Sequence, residues 1–132
     1  PKESKRIIEP QVADLVRLFM ISVTQEGGTA RRASIEGYQV AGKTGTSQVY
    51  DPKLGRYSKT QYVASFGGFT PAKDPRVSIL VLIRNPRKSL YGGVVAAPVF
   101  REIARKTMLI QKVFPEPSQP NDQELIRVSH ND

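Results

Sequence analysis

Two chemistries overlap in one short stretch of this sequence. Gly37-Tyr-Gln-Val-Ala-Gly42-Lys43-Thr44 satisfies G-x-x-x-x-G-K-[ST], the spacing of a loop that wraps a nucleotide phosphate in backbone N–H groups. Lys43, Thr44 and Gly45 together offer something different if they lie on an extended edge strand lining a cleft. There Lys43 places a cation in the pocket, the Thr44 hydroxyl bonds a carboxylate, and Gly45 lets a ligand backbone lie close. On a solvated strand end the same triplet would be inert.

Context separates the two. A phosphate loop follows a strand and opens a helix at its Lys-Thr, so that the helix N-terminus faces the anion. Here Tyr38-Gln39-Val40-Ala41 alternates as an extended strand does, where a flexible loop is required. Gly45-Thr46-Ser47-Gln48-Val49-Tyr50, downstream, is rich in Gly, β-branched and hydroxyl residues that start helices poorly. No apolar run ending in a magnesium-holding Asp stands out further on. The strand reading is preferred, and the nucleotide-binding one is kept as the alternative.

The elements that must position this strand can be read on either side of it. Residues 1–9 form a charged lead-in. A helix is expected to begin at Pro10, since proline suits the first helical position, and to stop before Gly27-Gly28. Val12, Leu15, Val16, Phe19 and Val23 fall on one helical face and are expected in the core. The segment from Gly28 to Ser34 reads as a connection into the motif strand. Residues 51–59, with Pro52, Gly55 and several charges, read as an exposed loop.

Two further strands are expected to meet at Thr70-Pro-Ala-Lys-Asp-Pro75, whose prolines and Asp favour a turn. In the last of them Val77, Ile79, Val81 and Ile83 share one face, and Leu80 and Leu82 the other. Both faces are therefore expected to be covered, at least one by helices. The short links make the three strands antiparallel. A closing helix is expected over 98–111, with Phe100, Ile103, Ala104 and Thr107 inward and Arg101, Arg105, Lys106 and Lys112 outward. Beyond Phe114 a Pro-rich polar stretch reads as a tail, so the division is 1–9 lead-in, 10–114 folded part and 115–132 tail.

Composition narrows the classes. The chain has 132 residues, long enough to cover roughly two-thirds of its unfolded surface if it folded alone. With 39% hydrophobic and 24% charged residues it reads as globular. It has no cysteine, hence neither a disulfide framework nor a thiolate metal site. No apolar run is long enough to cross a bilayer, and the N-terminus lacks a signal-peptide pattern, so any membrane anchor would lie outside this sequence. The only histidine, His130, lies in the tail without ligand-spaced neighbours, so no metal site is expected. Asp51, Asp74 and Glu102 fall in a loop, a turn and a helix, with nothing to bring them together. The net charge of +8 raises a nucleic-acid-binding reading. Its basic residues are dispersed and no nucleic-acid motif accompanies them, so a solvated basic surface is preferred and nucleic acid is not expected as a partner.

Read whole, residues 37–109 resemble the third motif strand of class B penicillin-binding proteins together with the strands and helix that come after it in that family. The resemblance runs through Gly37-Tyr-Gln-Val-Ala-Gly-Lys-Thr-Gly-Thr-Ser-Gln48, then Tyr62-Val-Ala-Ser-Phe-Gly-Gly-Phe-Thr-Pro-Ala-Lys-Asp-Pro75. It continues in Arg76-Val-Ser-Ile-Leu-Val-Leu-Ile83 and Tyr91-Gly-Gly-Val-Val-Ala-Ala-Pro-Val-Phe100. In order and spacing it covers most of 10–115, and it is similar to the monofunctional transpeptidases of septum formation or cell elongation. One local departure is Arg84-Asn85-Pro86-Arg87-Lys88, where the family often has an acidic residue before proline.

The family's Ser-x-x-Lys nucleophile motif occurs nowhere in the chain. The single Ser-x-Asn, Ser129-His130-Asn131, comes after Lys43-Thr44-Gly45 where the family has it before. The resemblance thus implies an α+β fold, about three antiparallel strands packed with helices, forming the C-terminal half of a penicillin-binding or serine β-lactamase-like transpeptidase domain. It implies a D,D-transpeptidase of the bacterial envelope, periplasmic and anchored to the cytoplasmic membrane, acting on peptidoglycan stem peptides and trapped by β-lactams. This chain alone, without the nucleophile, is expected to be inactive, and no cofactor is implied. Carried over residue by residue, Lys43 and the backbone N–H of Thr46 (one arm of an oxyanion hole) are catalytic, and Thr44 and Gly45 bind substrate.

Overall fold

A computed structural model describes residues 5–115. The motif strand is the edge of an antiparallel sheet in the order β1-β2-β3, with β1 at Ala41–Asp51, β2 at Arg56–Thr70 and β3 at Val77–Arg84. Helix α1, Pro10–Ser22, precedes the sheet, and a 3-10 turn at Arg31–Ala33 leads into it. A short α2, Gly92–Val95, and then α3, Ala97–Ile110, follow it. The α+β class and the three antiparallel strands expected from the sequence are present. The tail lies outside the described residues from position 116 onward, as does the lead-in before position 5.

Register fixes which residues share a face. Thr44 pairs with Phe66 and Phe66 with Val81, whereas Lys43 pairs with Gly67 and Gly67 with Leu80. Side chains alternate along a strand. Thr44, Thr46, Phe66 and Val81 therefore face one way, and Lys43, Gly45, Leu80 and Leu82 the other. The first face carries the core: Phe66 and Phe100 are fully buried and meet edge to face, ring centroids 4.9 Å apart. Ala30, Ala33, Ile35, Val40, Ala96, Ala97 and Ala104 close around them, and Ile79, Val81 and Ile83 pack from β3. The small residues let α2 and α3 lie close to the sheet.

On the second face a smaller cluster joins Ile21 and Met20 of α1 to Ala41, Phe69 and Ala72. Thr24, just past α1, ties helix to strand: its buried hydroxyl lies 3.0 Å from the Ile21 carbonyl and 2.8 Å from that of Val40. Thr24→Val keeps the shape but strips the buried Val40 carbonyl of this donor. A loss of about 1–3 kcal/mol is expected, read as a lower urea midpoint for this chain. An unchanged midpoint would mean that water replaces the hydroxyl.

Several expectations need correction. Helix α1 stops at Ser22, five residues before Gly27, and only irregular turns continue to Gly28. Its apolar face is not core: Val12, Leu15, Val16 and Phe19 are all at least 45% exposed, because the helix touches the sheet only through its C-terminal end. Leu80 and Leu82 are likewise exposed, so α3 covers one face of β3 and no described element covers the other. On α3 it is Ala97, Phe100, Ala104 and Met108 that are buried, while Ile103 is exposed.

The expected loop over 51–59 is shorter than predicted. The turn occupies 52–55, where the Asp51 carboxylate accepts the N–H groups of Lys53 and Leu54, and Gly55 takes φ 62°. Strand β2 has already begun at Arg56, with Tyr57 edge-on to Tyr50 across the ladder. The turn expected between Thr70 and Pro75 does separate β2 from β3.

Candidate active-site edge

Lys43 and Thr44 sit inside β1, the third and fourth residues of the strand. No helix begins there, so the phosphate-loop alternative has no helix N-terminus to offer an anion. The strand expected over Tyr38 to Ala41 begins only at Ala41. Of the residues before it, Tyr38 makes an isolated bridge to Ile35, while its hydroxyl donates to the Val113 carbonyl at 2.7 Å.

The direction of each backbone group on β1 follows from hydrogen bonds elsewhere in the sheet. The Asn85 N–H donates to the Tyr62 carbonyl at 2.8 Å, in line with the β2–β3 register. In an antiparallel ladder, pairs that exchange hydrogen bonds alternate with pairs that do not. Even-numbered residues of β2 thus turn their N–H and C=O toward β3, and odd-numbered ones toward β1. On β1, Lys43, Gly45 and Ser47 must then bond β2, while Thr44, Thr46 and Gln48 point away from it. Bonds at the start of the strand keep the same alternation, with Ala72 N–H reaching the Gln39 carbonyl inward and Thr24 reaching the Val40 carbonyl outward. The register stays regular from Ala41 to Gln48. Among the described residues no strand pairs with that outer edge, so the Thr46 N–H points away from the sheet, and the Thr44 C=O takes only the Lys43 side chain.

The side chains gather at the same edge. Lys43 Nζ curls round it to donate to the Thr44 carbonyl at 3.0 Å and lies 3.4 Å from the Thr44 hydroxyl. Thr44 Oγ1 is also 3.3 Å from Thr29 Oγ1. The Thr46 hydroxyl donates to the Leu90 carbonyl at 3.1 Å, which ties β1 to the segment leading into α2. Gly45 has close company: a Cβ there would stand 2.5 Å from Ser65 Oγ on β2. The missing side chain thus leaves room for the Ser65 hydroxyl on the neighbouring strand. Lys43, Thr44, Gly45 and Thr46 are brought together, and Thr29, which the sequence places in a connection, joins them.

Of the carboxylates, Asp51 holds the β1–β2 turn, Asp74 pairs with Arg76 at 3.2 Å, and Glu102 with Arg105 at 3.5 Å. Among the described residues no three His, Cys, Asp or Glu lie together as a metal site would need. No helix there is long and apolar enough to cross a membrane.

The described part is thus a helix, an antiparallel sheet whose outer edge bears Lys-Thr-Gly, and a closing helix. Residues 1–105 match the penicillin binding protein transpeptidase domain family, and the chain belongs to that family, as a fragment of a class B transpeptidase domain. It is 43% identical over 116 residues to the probable peptidoglycan D,D-transpeptidase PenA of Neisseria flavescens, covering 86% of this chain and 28% of that protein. It is 38% identical over 120 residues to the stage V sporulation protein D of Bacillus subtilis, covering 90% and 18%. Among solved structures, penicillin binding protein 3 of Mycobacterium tuberculosis in complex with ampicillin superposes with a TM-score of 0.75 at 34% identity, over 86% of this chain and 27% of that one. The transpeptidase domain of penicillin-binding protein 3 from Burkholderia pseudomallei gives 0.74 at 34% identity, over 88% and 34%. The chain therefore spans less than a third of the length of these two curated relatives.

Proposed function

We propose that this chain is the C-terminal, Lys-Thr-Gly-bearing part of a peptidoglycan D,D-transpeptidase, and that the free edge of β1 is one wall of its active site. The nucleophilic serine belongs to the rest of the protein. It attacks the carbonyl of the penultimate D-alanine of a stem peptide, the terminal D-alanine leaves with a proton, and an amine of a neighbouring peptide takes the acyl group. Covalent catalysis divides one difficult acyl transfer into two easier ones. β-Lactams stop the sequence after the first. No cofactor takes part.

The observation that carries this reading is the outward edge of β1. The Thr46 N–H, directed away from the sheet, suits an oxyanion developing on the attacked carbonyl. The Thr44 hydroxyl and Lys43 ammonium, 3.4 Å apart, stand together at the same edge, where a carboxylate and a catalytic serine can meet them. Exposed apolar surface points to where the rest of the domain sits. Leu80 and Leu82 share Lys43's face of the sheet, and α1, whose Val12, Leu15, Val16 and Phe19 are exposed, packs on that face through Ile21 and Met20. Patches of this kind mark interaction surfaces, so we place the nucleophile-bearing part of the domain there, over Lys43. The reading also puts the parent protein in the cell envelope, on the outer face of the cytoplasmic membrane and anchored through a preceding segment, in septum formation or elongation.

The test is Thr44→Val in the complete transpeptidase. Valine keeps the β-branched shape that suits a strand and removes the hydroxyl. A hydrogen bond to a charged group is worth about 1.5–3 kcal/mol, so acylation by fluorescent penicillin should slow by roughly one to two orders of magnitude. Thr60→Val is the control: Thr60 is exposed on β2, its hydroxyl near only that of Ser58. Wild-type acylation rates in both variants would remove Thr44 from the carboxylate site.

A further inference from the structure

A threonine hydroxyl has one proton to give and two lone pairs to receive. To bind a carboxylate, Thr44 must keep its proton for the ligand, so its surroundings matter as much as its presence. Lys43 Nζ, 3.4 Å away, can only donate. The second neighbour, Thr29 Oγ1 at 3.3 Å, can act in either direction. If Thr44 donates to Thr29, the proton is spent and an arriving carboxylate faces lone pairs. If Thr29 donates, both lone pairs of Thr44 are occupied and its proton is left to point outward.

Thr29 has no other side-chain hydrogen bond among the described residues, so its own proton is free for this use. With an anion bound, a chain running Thr29 to Thr44 to carboxylate sends each proton toward the more negative neighbour, and such chains polarise in their own favour. The Thr29 backbone is held on both sides. Ala30, next in the chain, is buried and donates its N–H to the Val23 carbonyl at 2.8 Å. From the other side Gly93 of α2 packs so closely that a Cβ on it would overlap the Thr29 carbonyl oxygen. A residue fifteen positions before Thr44 is thus set beside it by the end of α1 and the start of α2.

We infer that Thr29 is a positioning residue for the Thr44 hydroxyl, directing its proton at an anionic group of the ligand bound along β1. The inference rests on the carboxylate-binding reading of Thr44. It predicts that Thr29 matters for ligands that carry the anion and is silent for those that lack it.

The experiment uses the complete transpeptidase as wild type, Thr29→Val and Thr29→Ser. Each is acylated by benzylpenicillin, which bears a carboxylate, and by its methyl ester, which does not. Thr29→Val is expected to slow acylation by benzylpenicillin about three- to tenfold, the range for one neutral hydrogen bond, and to leave the ester rate within about twofold. Thr29→Ser, which keeps the hydroxyl, is expected to restore the rate. Equal rates for Thr29→Val and wild type on benzylpenicillin would overturn the inference while leaving Thr44→Val to speak for the site itself. Equal slowing on acid and ester, or no rescue by serine, would overturn it too, since Thr29 would then act through packing. A wild-type protein inert to both compounds would overturn the transpeptidase reading and this inference with it.

Discussion

Lys43→Ala in the complete transpeptidase should cut the second-order rate of acylation by penicillin by about 10²–10³-fold, the range for removing one group that stabilises charge developing in the transition state. That is roughly 2.7–4 kcal/mol of transition-state stabilisation. The side chain is exposed, and its hydrogen bonds go to the Thr44 carbonyl and hydroxyl. Its removal leaves no buried group unpaired, so the melting temperature should hardly move. Lys43→Arg should not rescue the rate, since a planar fork cannot replace a compact ammonium at the same point. Stopped-flow acylation with a fluorescent penicillin, beside a thermal melt, separates the outcomes. An alanine variant within threefold of wild type would show that Lys43 is only a solvated lysine on a strand end.

Much of this site was legible in the sequence because its parts are consecutive. Lys43, Thr44, Gly45 and Thr46 occupy four adjacent positions, and once the stretch is read as an edge strand, alternation alone divides their side chains between two faces. Strand identity was equally plain, since Val77 to Ile83 is almost unbroken β-branched and aliphatic sequence. What escaped was whatever depends on partners. The period of α1 announces an apolar face, yet cannot say whether the surface that buries it belongs to this chain. Leu80 and Leu82 pose the same problem on the sheet.

Helix α2 was missed because Gly92-Gly93-Val94-Val95 has poor helix propensity. It forms where glycines allow helix and neighbouring backbone to touch. Thr29 was passed over for a related reason: its meeting with Thr44 is made by packing, and no spacing in the chain records it. The early start of β2 turned on the pairing of Tyr50 with Tyr57 across a turn that composition marked only as polar.

The floor under the motif is aromatic, and removing it should be the most damaging single change to the fold. Phe66 is fully buried, edge-on to Phe100, and the far end of its ring fills the space that a side chain on Gly42 would need. One ring thus supports the residue before Lys43 and joins β1 and β2 to α3. Phe66→Ala should cost about 3–5 kcal/mol, the lost burial plus the cavity left behind. At about 4 °C per kcal/mol that is a fall of roughly 12–20 °C in Tm. Domains are commonly stable by only about 5–15 kcal/mol, and this chain exposes apolar surface on α1 and on the sheet, so the variant should lie close to unfolding at room temperature. Phe100→Ala should cost nearly as much. The double variant should fall short of the sum by about 0.5–1.5 kcal/mol, the part that belongs to the edge-to-face contact itself. Denaturant titrations of the four proteins, followed by far-ultraviolet circular dichroism, measure all three terms. A Phe66→Ala loss below about 1 kcal/mol, far under the range for a buried phenylalanine, would mean that the ring does not hold strand and helix together, and the support assigned to the Lys43 strand would have to come from elsewhere.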